Sequence, residues 1–502
     1  VKNAQVRNRS LITTCLVALA VGLTVHAAPA AQAAACSFPT PSPLPSADNK
    51  IESAADLQWL RDASDHWSAS WTQTADIDMQ IDGADCMWDR GISSSGAFSG
   101  NYDGGGFEIT GVTIRSGNAY SGLFEQVTGT ISNLGFSGDV QNTVGSTLVY
   151  VGGLVGYLNG GTVQDSYSTG SVTSITTDSN FSGTGGLVGN ARKASITGSY
   201  ATGDVTSQKL SGGLVGLTSA TSPNVTILES YSTGNVAAIA ALGNAGGLVG
   251  SLTNATVTKS YATGDVSGVA NVQHLGGLFA SMTNSTVTDA FATGGVSGWT
   301  TSSSTYGQVG GLVGDGTGSG NTLTRTYSAT ISGMTPGSDT AVDKVGGVAG
   351  VVASTTWSKV AWNSETALPL VVKPIGGTTS VTGVTSYTTS EMTDISTYTD
   401  STGLNWNSGG ASTIAAGYDA SYTWGICSAV NNGYPFLTAF YSSDPCSGGG
   451  GGGGGSTTGS ARPAEFEFTF VLPDGSECTP ISPVTVIDGT DYTLPGVDAD
   501  CR

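Results

Sequence analysis

Residues able to carry acid–base or metal chemistry are sparse in this 502-residue chain. Beyond residue 35 the only histidines are His66 and His274, and neither belongs to a His-Glu-x-x-His pair, so the helical zinc site of a metallopeptidase is not encoded. His66 adjoins Trp67 and reads as structural or solvated; His274 reads as a residue of a variable loop. Carboxylates are the remaining option. Asp76, Asp78, Asp82 and Asp85 cluster before Cys86 and could hold Ca²⁺, but the Gly and terminal Glu of an EF-hand loop are missing. Turn capping or solvation is the plainer reading. Gly104-Gly105-Gly106 lacks the Lys and the strand–loop–helix setting of a phosphate cradle and reads as a turn. No other cofactor is implied.

Cysteine chemistry points to crosslinks. Cys15 lies in the apolar N-terminal stretch; Cys36, Cys86, Cys427, Cys446, Cys478 and Cys501 remain, an even set that suits disulfides in an exported protein. Six cysteines allow 15 pairings. Neighbourhood favours Cys36–Cys86, Cys427–Cys446 and Cys478–Cys501. No Cys-x-x-Cys pair is present to build a thiolate zinc site. The net charge of −20 makes the chain a poor ligand for a phosphate backbone, so nucleic acid is not an expected partner.

The elements that must position these groups come from a repeat. Gly153-Leu154-Val155-Gly156 returns at Gly186, Gly213, Gly247, Gly277 (as Gly-Leu-Phe-Ala), Gly311 and Gly347 (as Gly-Val-Ala-Gly). A second phrase follows, Ser166-Tyr167-Ser168-Thr169-Gly170, with counterparts centred on Tyr200, Tyr231, Tyr261, Phe291 and Tyr327. A period near 30 residues marks a solenoid, propeller or array. Short β-branched runs between glycines, a fixed core and one variable joint predict an all-β, right-handed parallel β-helix whose coils bury their apolar faces by stacking. The residue before the closing Val reads Asp139, Ser171, Asp204, Asn235, Asp265, Gly295, and this alternation would keep carboxylates out of adjacent coils.

The aromatic column, Tyr167, Tyr200, Tyr231, Tyr261, Phe291 and Tyr327, should stack at about 4.8 Å. The small residues on either side of each ring fit a tight interior with the rings outside, or rings filling the interior. The earlier coil puts Gly135 at the ring position between Leu134 and Phe136, which favours outward rings. Exposed, the column would offer a binding platform; aromatic stacks are more often core.

The Gly-Gly-Leu-Val-Gly and Ser-Tyr-Ala-Thr-Gly-Asp-Val phrases resemble the GLUG repeat of bacterial surface and secreted proteins. The lead-in Thr74-Ala75-Asp76-Ile77-Asp78-Met79 and Phe98-Ser99-Gly100-Asn101-Tyr102-Asp103-Gly104 extend that resemblance, as do Trp424-Gly425-Ile426 and Gly433-Tyr434-Pro435-Phe436-Leu437, so it spans roughly Ile51 to Leu437. It implies adhesin-like proteins, some of them beside IgA-cleaving peptidases.

Residues 1–35 read as a secretory signal: Lys2, Arg7 and Arg9, then the apolar Leu11 to Val25, then Ala-rich cleavage sites. Val1 suggests an alternative bacterial start. Cys36 could be lipidated, although Ala33 stands where a lipobox carries Leu. Residues 36–50 form a Pro-rich spacer. Residues 51–144 hold an N-terminal cap and the first coils; Ser53 can N-cap a short capping helix with Leu57 and Leu60 on its apolar stripe. Residues 145–368 carry the repeats. Residues 369–446 are C-terminal coils and a cap, where Trp406, Trp424, Tyr434 and Phe436 are expected to close the end. Residues 447–463 are a Gly/Ser linker. Residues 464–502 begin a small β module that resembles a Listeria–Bacteroides-type repeat of surface proteins, and the chain reads as truncated there.

The expected function is a secreted or cell-surface, monomeric, adhesin-like solenoid that binds an extracellular glycan or cell-surface protein, or acts as a display stalk, with no transmembrane segment in the mature chain. The competing expectation is a polysaccharide lyase or glycoside hydrolase on a pectin-lyase-like β-helix, which would need an acid/base pair or acidic cluster near a Lys or Arg. Arg192, Lys193, Lys209 and Lys259 are scattered relative to Asp204 and Asp265. A weaker third expectation is an ice- or mineral-binding face of Thr ladders.

Overall fold

Each repeat closes one coil, and the coil at 150–174 shows how. Its strands are Tyr150–Gly152, Val155–Asn159, Thr162–Gln164, Tyr167–Ser168 and Val172–Ser174. Each pairs in parallel with its counterpart one coil on: Val151 with Thr184, Val155 with Val188, Val163 with Ile196, Tyr167 with Tyr200, Val172 with Val205. Repetition yields three eight-stranded sheets and one nineteen-stranded sheet, a parallel β-solenoid of eight coils. The computed structural model describes residues 35–447, except 144–147, 176–181, 220–223, 270, 299–306, 330–343, 366–372, 379 and 409–412, and beyond them residues 470–471 and 477–478.

The inward residues Leu154, Val155, Leu158, Val163 and Val172 are fully buried. Burial of each such side chain contributes roughly 1.5–3 kcal/mol, and stacking is what completes that burial. The glycines of the first phrase are required by close approach. A Cβ on Gly152 would lie 2.2 Å from the carbonyl oxygen of Val155 and 2.7 Å from the amide nitrogen of Gly189. The strands before and after the Gly-Gly turn therefore press together through bare backbone. Gly153 meets Ser168, whose Oγ would stand 2.1 Å from its Cβ; Gly186 meets Ala201, Gly213 meets Ser232 and Gly277 meets Ala292. This contact explains why a small residue always follows the aromatic in these repeats. At the last coil Trp362 takes that place beneath Gly347.

A serine ladder holds the corner before the aromatic. Ser166 Oγ donates to the carbonyl of Gln164 at 2.8 Å and accepts from the amide of Leu134, one coil back, at 3.2 Å. Ser199 and Ser230 repeat both bonds. These buried hydroxyls satisfy amides that the turn would leave unpaired.

The N-terminal end is closed by α1 (Ala54–Asp62), with the Ser53 side chain accepting from the Asp56 amide and Leu57 and Leu60 buried. It packs on the first strands: Trp59 meets Trp71 edge-on and Arg61 lies over Trp88. Cys36 bonds the Met87 carbonyl through its amide and is disulfide-linked to Cys86, so the Pro-rich spacer is fastened at its N-terminal end to a sheet edge.

The second predicted disulfide, Cys427–Cys446, is also formed. Residues 1–34 and Cys501 lie outside the described residues, as do the Gly-rich tract from 448 and most of the C-terminal module. Of that module, Phe470–Val471 and Glu477–Cys478 pair antiparallel. Among the described residues no helix is long and apolar enough to cross a membrane.

Candidate functional site

The aromatic column lies on the nineteen-stranded sheet, in unbroken register from Tyr167 to Tyr327. Neighbouring ring centroids are 4.8–5.1 Å apart and nearly parallel. Ser166 and Ser168 point inward, fully buried, so the alternation of a strand turns the rings outward. The inference from Gly135 agrees: the Tyr167 ring lies over it, 2.4 Å from where its Cβ would be.

Outward does not mean open. Tyr231, Phe291 and Tyr327 are buried, because the C-terminal segment folds back over them. The segment opens with two short helices, α2 (Thr389–Met392), held by a Thr388/Glu391 capping box, and α3 (Ile395–Thr399). Trp424 then packs on Phe291 and Tyr327. The Tyr327 hydroxyl donates to the Pro435 carbonyl, and Tyr434 stacks above that ring. Phe440 sets its face against the edges of Tyr231 and Tyr261 at 89° and 90°. The expected closure of the solenoid's end is thus corrected for Trp406, Trp424 and Tyr434, which pack with Phe291 and Tyr327 along the flank, while Phe436 is buried against Gly425 and Tyr441. Tyr167, Tyr200 and Tyr261 are partly exposed; of these Tyr261 lies against Phe440, and Tyr167 and Tyr200 lie beyond it.

Beside the rings runs a corner column that the sequence analysis missed. Asp165, Glu229, Lys259, Asp289, Arg325 and Lys359 each occupy the left-handed region, with φ between 47° and 59°. From Glu229 to Arg325 their charges alternate. Lys259 bonds Glu229 at 3.0 Å, and Arg325 grips Asp289 through two bonds of 2.6 and 2.7 Å. Trp424 Nε1 donates to the same Asp289 carboxylate, which ties the covering segment to the ladder. The signal was present in the sequence as the residue two positions before each aromatic of the second phrase, with Gly198 the one uncharged position.

The other candidates have structural duties. Asp139 accepts from the amide of Ser171, Asp204 from that of Asn235, Asn235 from that of Asp265, and Asp265 from that of Gly295. The predicted stacking is real, and each side chain is engaged by the next coil's backbone. Asp76 accepts from the Glu108 amide, Asp78 from the Gln80 amide and Asp85 from the Gln80 side chain, so these carboxylates act separately. Among the described residues no three His, Cys, Asp or Glu side chains converge on a metal position. His66 packs against Trp59 and Trp71. His274 belongs to strand His274–Gly276, not to a loop, in register with Asn244 and Gln308; burial lowers its pKa, against the opposing pull of Asp315.

Two further features escaped the sequence. Tyr120, Tyr150 and Tyr157 form a second, smaller ring cluster. Glu125 is buried, accepting from Asn118 and from the Gly91 amide, and burial pushes its carboxyl up to about 7. In the main column burial pushes the phenols of Tyr167, Tyr200, Tyr261 and Tyr327 up, Tyr167 to about 12 with a contribution from Glu108 and Asp76.

Comparison with known proteins identifies one sequence motif. The GLUG motif is found in three places, residues 147–173, 182–206 and 241–267. No curated protein matches the chain. A solved structure titled "putative immunoglobulin A1 protease from Bacteroides ovatus" is similar at 18% identity over 57% of this chain and 84% of that one, with a TM-score of 0.42. At that level the likeness bears on neither activity nor partner. The chain is a parallel β-solenoid that carries GLUG repeats.

Proposed function

We propose that the protein is an exported, adhesin-like rod of a bacterial surface that binds a ligand along its aromatic flank and catalyses nothing. The reading rests on one observation: a continuous outward aromatic column is covered over its C-terminal part and left partly open at Tyr167 and Tyr200. A stiff stack with outward rings is suited to contact, since ordered side chains lose little entropy on binding. The two disulfides and the GLUG repeats support an extracellular setting, in keeping with the expected signal at residues 1–35. A surface glycan or protein is the expected class of partner, met by a monomer.

The test is retention of the full chain on arrays of glycans, matrix proteins and cell-wall polymers, with soluble products assayed in the same wells. Retention without product, weakened by Tyr167→Ala and Tyr200→Ala in a folded protein, is the expected result. Release of oligosaccharides would overturn it.

A further inference from the structure

We infer that the open end of the aromatic column takes an extended polypeptide segment carrying an aromatic side chain next to basic ones. This rests on the binding role proposed above and names the ligand class for the same residues.

The stacking geometry sets what the column can accept. One face of the Tyr200 ring lies on Tyr167 and the other on Tyr231. The Tyr167 ring has Tyr200 on one side and Gly135 on the other. Sugar rings bind aromatic groups by lying on their faces, and those faces are taken. What remains is a ridge of ring edges, and ring edges carry the positive end of the aromatic quadrupole. The complement of such an edge is the face of another aromatic ring laid across it.

The molecule already contains that complement. Phe440 lies across the edges of Tyr231 and Tyr261 with ring centroids 5.3 and 4.9 Å away. It is carried by a chain segment, whose Tyr418 hydroxyl and Tyr441 carbonyl are bonded just beside it. The same in-register edges continue from Tyr231 to Tyr200 and Tyr167 without a break. The site next to Phe440 is therefore a continuation of an interface that a peptide segment occupies.

Charge decides which polypeptide. Glu108 stands in the row beneath Gly135. Its carboxyl and that of Asp76 lie close enough to raise the Tyr167 phenol. Asp165 projects from the corner beside Tyr167 and is exposed. These acids favour Lys or Arg flanking the incoming aromatic. They disfavour the chain's own tail: Phe466, Phe468 and Phe470 alternate there with Glu465 and Glu467, and Arg502 is its only basic residue beyond Ala464.

The experiment uses the full chain and three fluorescent ten-residue peptides, alternating Phe/Lys, Phe/Glu and Leu/Lys, beside a glycan array. The Phe/Lys peptide is expected to bind at least tenfold more tightly than either control. Its affinity should fall at least tenfold in Tyr167→Ala/Tyr200→Ala, and severalfold in Glu108→Gln and in raised salt. Thermal unfolding of each variant checks folding, and Glu108→Gln keeps the charge element testable if the double variant is unstable. Equal binding of all three peptides, or no binding, would overturn the inference. So would peptide binding that emerges only in full-length Phe466→Ala/Phe468→Ala, because the tail would then be the occupant. Glycan retention that depends on Tyr167 and Tyr200 would overturn the peptide class while leaving the binding role standing.

Discussion

The two halves of the aromatic column are built alike and end differently. Tyr167 and Tyr200 project from coils with the same Gly–small contact and the same ring spacing as Tyr261 and Phe291, and with the same serine corner as Tyr261, while Ala290 replaces that serine beside Phe291. Yet the first pair is partly open, whereas Phe291 and Tyr327 belong to a second apolar core with Trp406, Trp424 and Leu437, and Tyr261 packs against it. Direction of a side chain is set by the strand. Its burial is set by whatever else the chain brings to that face. An outward column is thus an interface in waiting, and here the protein itself fills half of it.

Substitutions can sharpen or break this contrast. Trp424→Ala removes a fully buried indole and its bond to Asp289, and should cost about 3–5 kcal/mol. Hydrogen exchange should show residues 389–447 losing protection while coils near Tyr167 keep theirs; uniform loss would mean that the halves unfold as one. Phe291→Ala should cost about 3 kcal/mol and Tyr200→Ala about 1 kcal/mol, since only the first opens a covered cavity. Equal costs in chemical denaturation would erase the distinction drawn here. The corner ladder offers the same comparison in charge. Arg325→Ala leaves the Asp289 carboxylate almost wholly buried without its cation, at a cost of about 3 kcal/mol. Lys259→Ala breaks a pair about one-third exposed on each side, for about 0.5 kcal/mol. The remaining effect, a dependence on pH, belongs to the N-terminal coils. Glu125 has a folded pKa raised above its ordinary value, so the native state holds the proton more tightly than the unfolded chain. Its contribution is complete below pH about 4.5 and is lost as pH rises through about 7, a fall of about 3 kcal/mol. Glu125→Gln should flatten the melting temperature across that window.

What could be read from the sequence was whatever the repeat repeats. Stacked coils, the Asp139–Gly295 ladder, the Ser53 cap and two disulfides follow from local spacing, and the structure contains them; that spacing left the facing of Ser166 and Ser168 open. The flank cover did not follow, because its contacts join residues more than 100 positions apart, as in Trp424 with Asp289 and Tyr327 with Pro435. No period announces such contacts. The fate of the column therefore stayed open until the chain's return path was visible. The alternating corner charges were readable but went unread, because they sit one position outside the phrase that attracts the eye.

That corner has a consequence for how such a rod can change length. Matching coils make duplication or deletion of one repeat sterically cheap, because every newcomer meets the same glycines and serines it left. Charge imposes parity. Along Glu229, Lys259, Asp289 and Arg325, loss of one coil would set Glu229 against Asp289, whereas loss of two would set it against Arg325. Gene rearrangements in this region should therefore be tolerated best when they add or remove coils in pairs.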